Sequence, residues 1–275
     1  MDISDAFTQA PPDAQAAPVR LTIGVLTLNE ERRIASCLKS AAFAGEVIVV
    51  DSGSTDGTVE IARSLGASVY SYPEWQGFAI QRNRVLTHAT GDYIFFLDAD
   101  EEITPALQDE IEAAIASGEQ AVWEVQWEQV AFGRPLTRMR NTGGIPRLFS
   151  RKTLLRFDGV VHEGAVLEPP GLPVHRFKSR MPHYSRESIH GSLLKLAQYS
   201  QLGAAKRLAA GKQGGIWRGV GSGVANFIRL YFFQRGFMCG AAGFLHCFFV
   251  GLECFFRYVA LKYDRELLEK PARRS

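Results

Sequence analysis

An unbroken apolar run that passes directly into acidic residues constrains this chain more than any other feature of its sequence. Residues 93–97 are all apolar or aromatic, which predicts a strand buried on both faces in the middle of a parallel sheet. The run ends in Asp98, Ala99, Asp100 and Glu101. Three carboxylates resist burial together, so they favour a cation between them. Ligands of open α/β sheets bind at this end of the strands.

The spacing of Asp98 and Asp100 indicates what the cation is. Residues two apart in an extended chain point to the same side, and paired carboxylate oxygens suit Mg²⁺ or Mn²⁺. The alternative is a solvated acidic loop before a helix, because Thr104 and Pro105 form an N-cap followed by proline at the first helical position.

Other apolar runs alternate with helical patterns on either side of this stretch. Residues 21–27, 46–50 and 67–71 predict three more strands, and helical segments separate the four and follow the last to about residue 117. This β-α repeat predicts an α/β fold with a mostly parallel, doubly wound sheet. Residues 122–127 alternate between apolar and polar, which predicts an edge or antiparallel strand.

The loops after the other strands contain further candidate binding residues. Asp51 directly follows the second strand and begins a small, polar, glycine-containing loop, which suits a nucleotide whose base N–H donates to Asp51. The alternative is an ordinary loop in which Thr55 or Asp56 caps the next helix. Arg82 lies on a predicted helix and could grip a diphosphate bidentately, or it could be a solvated helix charge.

Charge is distributed unevenly along the chain. Residues 1–137 contain 8 Lys and Arg against 21 Asp and Glu, whereas residues 138–235 contain 17 against 4. This asymmetry predicts a metal or sugar site in the first half and an anionic partner for the second. We expect no nucleic-acid partner, because the acidic half opposes one and no interleaved aromatic and basic motif is present.

Two sequence features bear on compartment and order. Residues 1–18 are rich in Ala, Pro, Asp and Gln without a basic start or an apolar core, so they predict a disordered tail rather than a signal peptide. The four cysteines show no zinc-site spacing, and a reducing compartment is the default.

The last part of the chain, residues 188–275, is predicted to be helical and to associate with a membrane. Its apolar segment, residues 237–261, is long enough to span a bilayer, but His246, Glu253 and Arg257 interrupt it. Dense aromatic residues and basic flanks favour a helix lying in the membrane interface. The alternative is a buried core helix in which Glu253 pairs with Arg257 four residues on.

Two candidates lie between the sheet and these helices. Glu163 follows His162, and a carboxylate beside an imidazole near anionic groups is a candidate general base, although such a pair can also be structural. His183 is a candidate third metal ligand, and the alternative is a core histidine.

Four segments at successive strand ends closely resemble glycosyltransferase family 2 and its GT-A nucleotide-sugar fold. They are Asn29-Glu30-Glu31, Asp51-Ser52-Gly53-Ser54-Thr55-Asp56-Gly57-Thr58, Gln81-Arg82-Asn83 and Asp98-Ala99-Asp100-Glu101. The resemblance covers residues 21 to about 118 and implies a catalytic domain over residues 19–187. Pro146-Arg147-Leu148-Phe149, Val161-His162-Glu163 and the basic aromatic C-terminal helices look like the branch of lipopolysaccharide core β-1,4-glucosyltransferases.

The resemblance implies a UDP-linked nucleotide sugar that lies across the strand ends. The implied nucleotide-sugar contacts are Thr27, Asn29, Glu30, Asp51, Arg82 and Asp98. The implied ligands of Mg²⁺ or Mn²⁺ are Asp98, Asp100 and His183, and Asp100 is also the implied catalytic residue at the metal. In many members the base is an aspartate in a Glu-Asp pair, but none follows residue 118, so we assign the base to Glu163.

The resemblance also implies an inverting transfer of a hexose to a lipid-linked saccharide of the lipopolysaccharide inner core, and glucose is the expected hexose. The enzyme would then work at the cytoplasmic face of the inner membrane as a peripheral or monotopic protein. Two alternatives remain open: glycosylation of a polyprenyl phosphate, and a non-catalytic membrane- or polyanion-binding protein that retains the fold.

Overall fold

The computed structural model describes residues 20–140, 143–159 and 164–268, so the predicted tail lies outside the described residues. The strands are β1 (Leu21–Thr27), β2 (Glu46–Asp51), β3 (Ser68–Ser71), β4 (Tyr93–Asp98), β5 (Val122–Ala131), β6 (Arg134–Pro135), β7 (Ile145–Ser150), β8 (Leu154–Asp158), β9 (Gly164–Leu167) and β10 (Val174–Arg186). The helices are α1 (Ile34–Ser40), α2 (Thr58–Ser64), α3 (Phe78–His88), α4 (Pro105–Ser117), α5 (Ile189–Ala209), α6 (Ile216–Ile228), α7 (Gly240–Tyr263) and α8 (Arg265–Leu268).

The central sheet has the order β10-β5-β7-β4-β1-β2-β3, with β6 paired to β5. Strands β4, β1, β2 and β3 are parallel, as the repeat of apolar runs and helices predicts. Strand β7 enters between β4 and β5 and is antiparallel to both. The predicted α/β fold with a mostly parallel sheet is therefore confirmed, and its central strand β4 is the apolar run that ends in the acidic residues.

The sheet is covered on both faces, which explains why its central strand β4 is apolar at every position from Tyr93 to Leu97. Along β4, Phe95 and Leu97 join the cluster that includes Ile34 of α1 and Leu107 of α4. Phe96, which points the other way, joins a second cluster under α3. Helix α4 begins at the predicted cap, because the Thr104 side chain accepts a hydrogen bond from the backbone N–H of Leu107. This helix starts directly behind the acidic residues.

Strand β5 is antiparallel to β7, as its alternating pattern suggests, but the prediction that it could be an edge strand is wrong. Strand β10 pairs with its other side in parallel, from Val174 opposite Val122 to Arg186 opposite Ala131. The partner lies about fifty residues further along the chain, so the local pattern of β5 contains no sign of it. This pairing places β10 beside the site described below.

The C-terminal helices pack against the sheet domain as well as against each other. A π-helical turn (Arg229–Phe233) and a 3₁₀ turn (Gly236–Cys239) link α6 to α7. Where the two helices cross, a Cβ atom on Gly223 would lie 2.8 Å from the carbonyl oxygen of Gly251, so only glycine permits this approach. Cys247 of α7 shares a buried cluster with Leu136 of the sheet domain.

Helix α7 combines the two environments that were predicted as alternatives. Glu253 is buried, but its ion-pair partner is Arg186 of β10, so the predicted pair with Arg257 is wrong. The distant Arg186 is the favoured partner because its pairing with Glu253 neutralises two buried charges at once. The stretch Gly236–Tyr263 is long and apolar enough to cross a membrane, and 44% of its most apolar window is buried in the protein. Phe244 and Phe248 remain exposed on the opposite face.

Candidate active site

The acidic residues after β4 form a turn rather than an extended segment. The backbone N–H of Glu101 donates to the carbonyl oxygen of Asp98 at 2.9 Å, which closes the turn. As a result, Asp98 and Asp100 do not share partners, contrary to the expectation for an extended chain. Asp98 contacts the side chain of a residue in β7, whereas Asp100 contacts residues of β10 and α5.

Arg147 of β7 supplies a cation to the carboxylates. Its side chain is 1% exposed, its Nη2 lies 2.8 Å from Asp98 Oδ2, and the same nitrogen donates to Glu101. Burial opposes ionisation of Asp98, but the charge of Arg147 outweighs it and holds the pKa of Asp98 below its usual range. The predicted cation among these carboxylates is therefore, at Asp98, a guanidinium of the chain itself.

Glu101 fixes the turn from inside the protein. Its side chain is fully buried, and it accepts hydrogen bonds from the backbone N–H of Asp98 at 2.9 Å and from Trp127 Nε1 at 2.5 Å. Burial, reinforced by the charge of Asp98, raises the pKa of Glu101 to about 7 despite the neighbouring Arg147. Glu101 therefore positions Asp98 and Trp127 and does not itself face a ligand.

Asp100 lies between two cationic or potentially cationic side chains. Its Oδ2 is 3.2 Å from Lys195 Nζ and 3.6 Å from His183 Nε2. Burial works to raise the pKa of Asp100, but the nearby imidazole of His183 and the charge of Lys195 lower it overall. Lys195 belongs to α5, so the predicted helical region, residues 188–275, contributes directly to this site.

His183 of β10 is held in place on both sides. Its ring stacks on Trp127 with centroids 4.3 Å apart, and its Nδ1 lies 3.3 Å from Gln129 Nε2. Burial lowers the pKa of His183, but the negative charge of the nearby Asp100 carboxylate raises it overall. The side chain is packed like a core histidine, yet its Nε2 faces the Asp100 carboxylate.

The donor set at Asp100 fits a divalent cation in part. A carboxylate oxygen and an imidazole nitrogen face each other there, and both atom types are ligands of Mn²⁺. Asp98, the remaining predicted ligand, is turned toward Arg147. Accordingly, within residues 20–140, 143–159 and 164–268, no three acidic, histidine or cysteine side chains are grouped to hold a metal. Asp100 and His183 are the pair that could hold one.

Asp51 lies at the end of β2 beside Thr27 of β1 and is 1% exposed. Its carboxylate accepts from the backbone N–H groups of Gly53 and Ser54 and from the hydroxyls of Ser54 and Ser71, at 2.5–3.2 Å. These four donors fill its four lone-pair sites. A base N–H would reach Asp51 by displacing a serine hydroxyl. The buried Oγ1 of Thr27 has no hydrogen-bond partner among the described residues.

Asn29 and Glu30 connect the loop after β1 to the loop after β2. Asn29 has a left-handed backbone, with φ of 54°, and its side-chain oxygen accepts from the backbone N–H of Thr55 at 2.9 Å. The backbone N–H of Glu30 donates to the Thr58 hydroxyl at 2.9 Å. Asparagine tolerates this backbone better than most residues do. The two loops therefore form one hydrogen-bonded unit above the strand ends.

Arg82 reaches the same region from α3. It is buried, and its guanidinium carbon lies 5.1 Å from the ring centroid of Phe96 and 5.6 Å from that of Phe157. Its Nη2 is 3.9 Å from Asp98 Oδ1. The alternative of a solvated helix charge is therefore wrong, because Arg82 is packed over aromatic rings with its charge toward the site.

Some of these site residues were not recognised in the sequence. Trp127 and Lys195 carry no local signal, because their roles depend on β5, β10 and α5 meeting at β4. Arg147 stands in the segment Pro146-Arg147-Leu148-Phe149, which carries part of the family resemblance, and its one usable signal as a site residue is that it is the only cation of its strand. Glu163, the predicted base, lies outside the described residues and stays a prediction.

A mostly parallel sheet with an acidic turn at the carboxyl end of its central strand, supported by C-terminal helices, is the arrangement expected of a glycosyltransferase with the GT-A fold. The family model described as Glycosyl transferase family 2 matches residues 22–162, just over half of the chain, and the chain belongs to this family.

Similar proteins extend the match beyond this domain. The lipopolysaccharide core biosynthesis glycosyltransferase LpsC of Rhizobium meliloti is 27% identical over 256 residues, which cover 90% of this chain and 94% of LpsC. An uncharacterized glycosyltransferase of Rickettsia bellii is 31% identical, and the match covers 93% of this chain and 90% of that protein. Among solved structures, glucosyl-3-phosphoglycerate synthase from Mycobacterium tuberculosis is 25% identical over 49% of this chain and 58% of that chain, with a TM-score of 0.38.

Proposed function

We propose that this glycosyltransferase transfers a hexose from a UDP-sugar to a lipid-linked saccharide of the lipopolysaccharide inner core, with inversion at the anomeric carbon. The expected hexose is glucose. The observation that best supports the transfer reaction is that two carboxylates and two cations lie together at the end of β4: Asp98, Asp100, Arg82 and Lys195. The similarity to LpsC over almost the whole of both chains supports the acceptor class.

The donor would lie across the ends of β1, β2 and β4. Arg82 and Lys195 are the cations positioned to receive a diphosphate, because each already lies near an aspartate that the diphosphate could replace as partner. Asp51 would accept the base N–H in place of a serine hydroxyl. The remaining proposed donor contacts are Thr27, Asn29, Glu30 and Asp98.

Asp100 and His183 would hold Mg²⁺ or Mn²⁺. When bound, such an ion neutralises the charge that develops on the diphosphate leaving group. Glu163 would take the proton from the acceptor hydroxyl. The hydroxyl oxygen then forms the new bond to the anomeric carbon from the face opposite the diphosphate, and the bond to the diphosphate breaks with its electron pair on the departing oxygen. Charge from Arg82 and Lys195 would stabilise that oxygen.

The membrane contact would be the exposed apolar face of the C-terminal helices. Its large exposed side chains include Trp217, Val224, Ile228, Phe232, Phe233, Phe237, Phe244, Phe248 and Phe256. Aromatic residues beside basic ones are typical of a helix in the membrane interface. We therefore propose a peripheral or monotopic enzyme at the cytoplasmic face of the inner membrane, where a lipid-linked acceptor is presented.

The test is UDP release from a panel of UDP-sugars in the presence of Mn²⁺, with and without a heptose-containing lipid acceptor. We expect one donor to give strong, acceptor-dependent release, which Asp100→Asn abolishes. Asp109→Asn is the matched control, because Asp109 is exposed on α4 and should leave the rate unchanged. Transfer only to a polyprenyl phosphate would overturn the proposed acceptor, and donor binding without transfer to either acceptor would overturn the proposed reaction.

A further inference from the structure

A cavity of about 290 Å³ lies where the sheet domain meets the C-terminal helices. Part of its lining is apolar and comes from both regions: Trp127, Leu136, Met139, Leu230 and Val250. The rest is polar and strongly basic. Such a lining suits a ligand that has both a hydrophobic surface, such as the C–H face of a sugar ring, and a charged group.

Three arginines from separate parts of the chain converge on this cavity. Arg140 follows β6, Arg180 belongs to β10 and Arg229 begins the π-helical turn. Glu128 also lines the cavity, which leaves an excess of two positive charges. Arg229 donates to the side-chain oxygen of Asn226 at 3.2 Å. Within the described part of the chain, no carboxylate forms an ion pair with any of the three guanidinium groups, so their charge is available to an anion.

A buried histidine provides an independent sign of a ligand. His246 of α7 lines the cavity and is only 8% exposed, and its Nδ1 is buried without a hydrogen-bond partner among the described residues. An unpaired buried polar atom is destabilising, so such atoms commonly mark a missing partner. Burial, with the charge of Arg186, lowers the pKa of His246 to about 4, which keeps the imidazole neutral.

The cavity shares a wall with the active site. Trp127 lines the cavity, and the same side chain donates to Glu101 and stacks on His183. Gln129 also lines the cavity and lies 3.3 Å from His183 Nδ1. A molecule in the cavity is therefore separated from the Asp100–His183 pair by only one layer of side chains.

We propose that this cavity is an acceptor subsite, in which Arg140, Arg180 and Arg229 bind an oxyanion carried by the acceptor saccharide. The ligand class is a phosphate or carboxylate group on a sugar, held by charge-assisted hydrogen bonds, while Trp127 and the apolar lining contact the ring. This subsite rests on the proposed function for its ligand. It deepens that function, because it makes acceptor charge a determinant of specificity.

The first experiment needs no turnover. Calorimetric titration of the full-length protein with inorganic phosphate should show binding, which Arg180→Gln weakens about tenfold, as expected for loss of a charge-assisted hydrogen bond. Arg138→Gln is the matched control, because Arg138 is exposed and close in sequence to Arg140 but does not line the cavity. Equal weakening by Arg138→Gln, or unchanged binding by Arg180→Gln, would overturn the subsite whether or not transfer is observed.

The second experiment uses the transfer reaction and separates the sources of the oxyanion. Arg180→Gln and Arg229→Gln should each raise the KM for a phosphorylated core oligosaccharide about tenfold, with the KM for the donor unchanged. Enzymatic removal of the acceptor phosphates should abolish this difference between variant and wild type. If phosphatidylglycerol vesicles compete for the site and acceptor phosphates have no effect, the ligand is a lipid headgroup and the proposal is wrong.

Discussion

The Arg147 guanidinium is surrounded by protein, and it donates hydrogen bonds to Asp98 and Glu101. Its Nε and Nη1 are buried without a hydrogen-bond partner among the described residues. A charge in this position costs desolvation energy, which the two carboxylates offset. Arg147 therefore stabilises the protein through charge neutralisation, and removing it would leave the buried Glu101 without its guanidinium partner.

We expect Arg147→Met to lower the free energy of unfolding by about 3–5 kcal/mol, the usual result of removing one partner from a buried ion pair. Urea denaturation measures the change. Arg156→Gln is the control, because Arg156 pairs with Asp158 at the surface, where such pairs contribute little. Equal midpoints for wild type and Arg147→Met would show that the buried network does not depend on the guanidinium.

A second prediction concerns the metal pair. We expect His183→Gln to raise the Mn²⁺ concentration that gives half-maximal activity by about 10–100-fold, with smaller effects on donor affinity. His175→Gln is a control on the same strand, since His175 pairs with Glu119 at the surface. A metal dependence that stays at the wild-type value in His183→Gln would remove His183 from the proposed ligands.

At the scale of elements, the helix pair α6–α7 presents two different faces. One face packs on the sheet domain through Cys247 and through the ion pair between Glu253 and Arg186. The other exposes aromatic side chains, and the π-helical turn adds Phe232 and Phe233, of which Phe233 is 73% exposed. The inner face holds the helices to the sheet domain, and the outer face is the one to which we assign the proposed membrane contact.

We expect the double variant Phe232→Ser/Phe233→Ser to bind anionic vesicles at least about tenfold more weakly, because burying one such side chain contributes about 1.5–3 kcal/mol. Vesicle co-sedimentation measures the partition, and the thermal midpoint should stay within error of the wild type. Leu155→Ser removes a comparably exposed apolar group from β8, far from these helices in sequence, and should leave vesicle binding intact. Equal losses in both variants would argue against a membrane-facing surface here.

The sequence predicts elements well where the determining pattern is local. Residues 21–27 and 93–97 are strands because continuous apolar runs suit burial between helices. Prediction from the sequence fails where the interacting residue lies far along the chain. Arg147 lies 49 residues from Asp98 and Arg186 lies 67 residues from Glu253, and no periodicity in one segment reports the charge of the other. For the same reason Asp98 and Asp100 were recognised as site residues, but their separate partners were not.

For the whole molecule, the sheet domain and the C-terminal helices share both a core and a site. Leu136 and Met139 are buried with residues of α7, and Lys195 of α5 reaches Asp100. The boundary predicted between residues 187 and 188 therefore separates segments of the chain, but the active site draws on both.

We expect truncation after Tyr231 to destabilise the enzyme rather than to release a soluble, active domain. The deletion would expose the cluster around Leu136 and leave Arg186 without Glu253, and loss of one partner of a buried pair alone costs about 3–5 kcal/mol. Thermal unfolding and limited proteolysis measure the effect. A truncated protein with the wild-type midpoint would show that α7 is an appendage and not part of the core.

The position of β7 has a consequence for how the enzyme is made on the ribosome. Strand β7 lies between β4 and β5 in the sheet, although it follows both in the chain. Until residue 150 has left the ribosome, β5 therefore has no β7 to pair with and cannot join the sheet beside it. Glu101 also lacks its partner Arg147 at that stage. The site is completed later still, when Lys195 emerges with α5. Translation must therefore pass well beyond residue 101 before the turn from Asp98 to Glu101 has its final partners, so prematurely terminated chains are expected to be substrates for proteolysis and not partial enzymes.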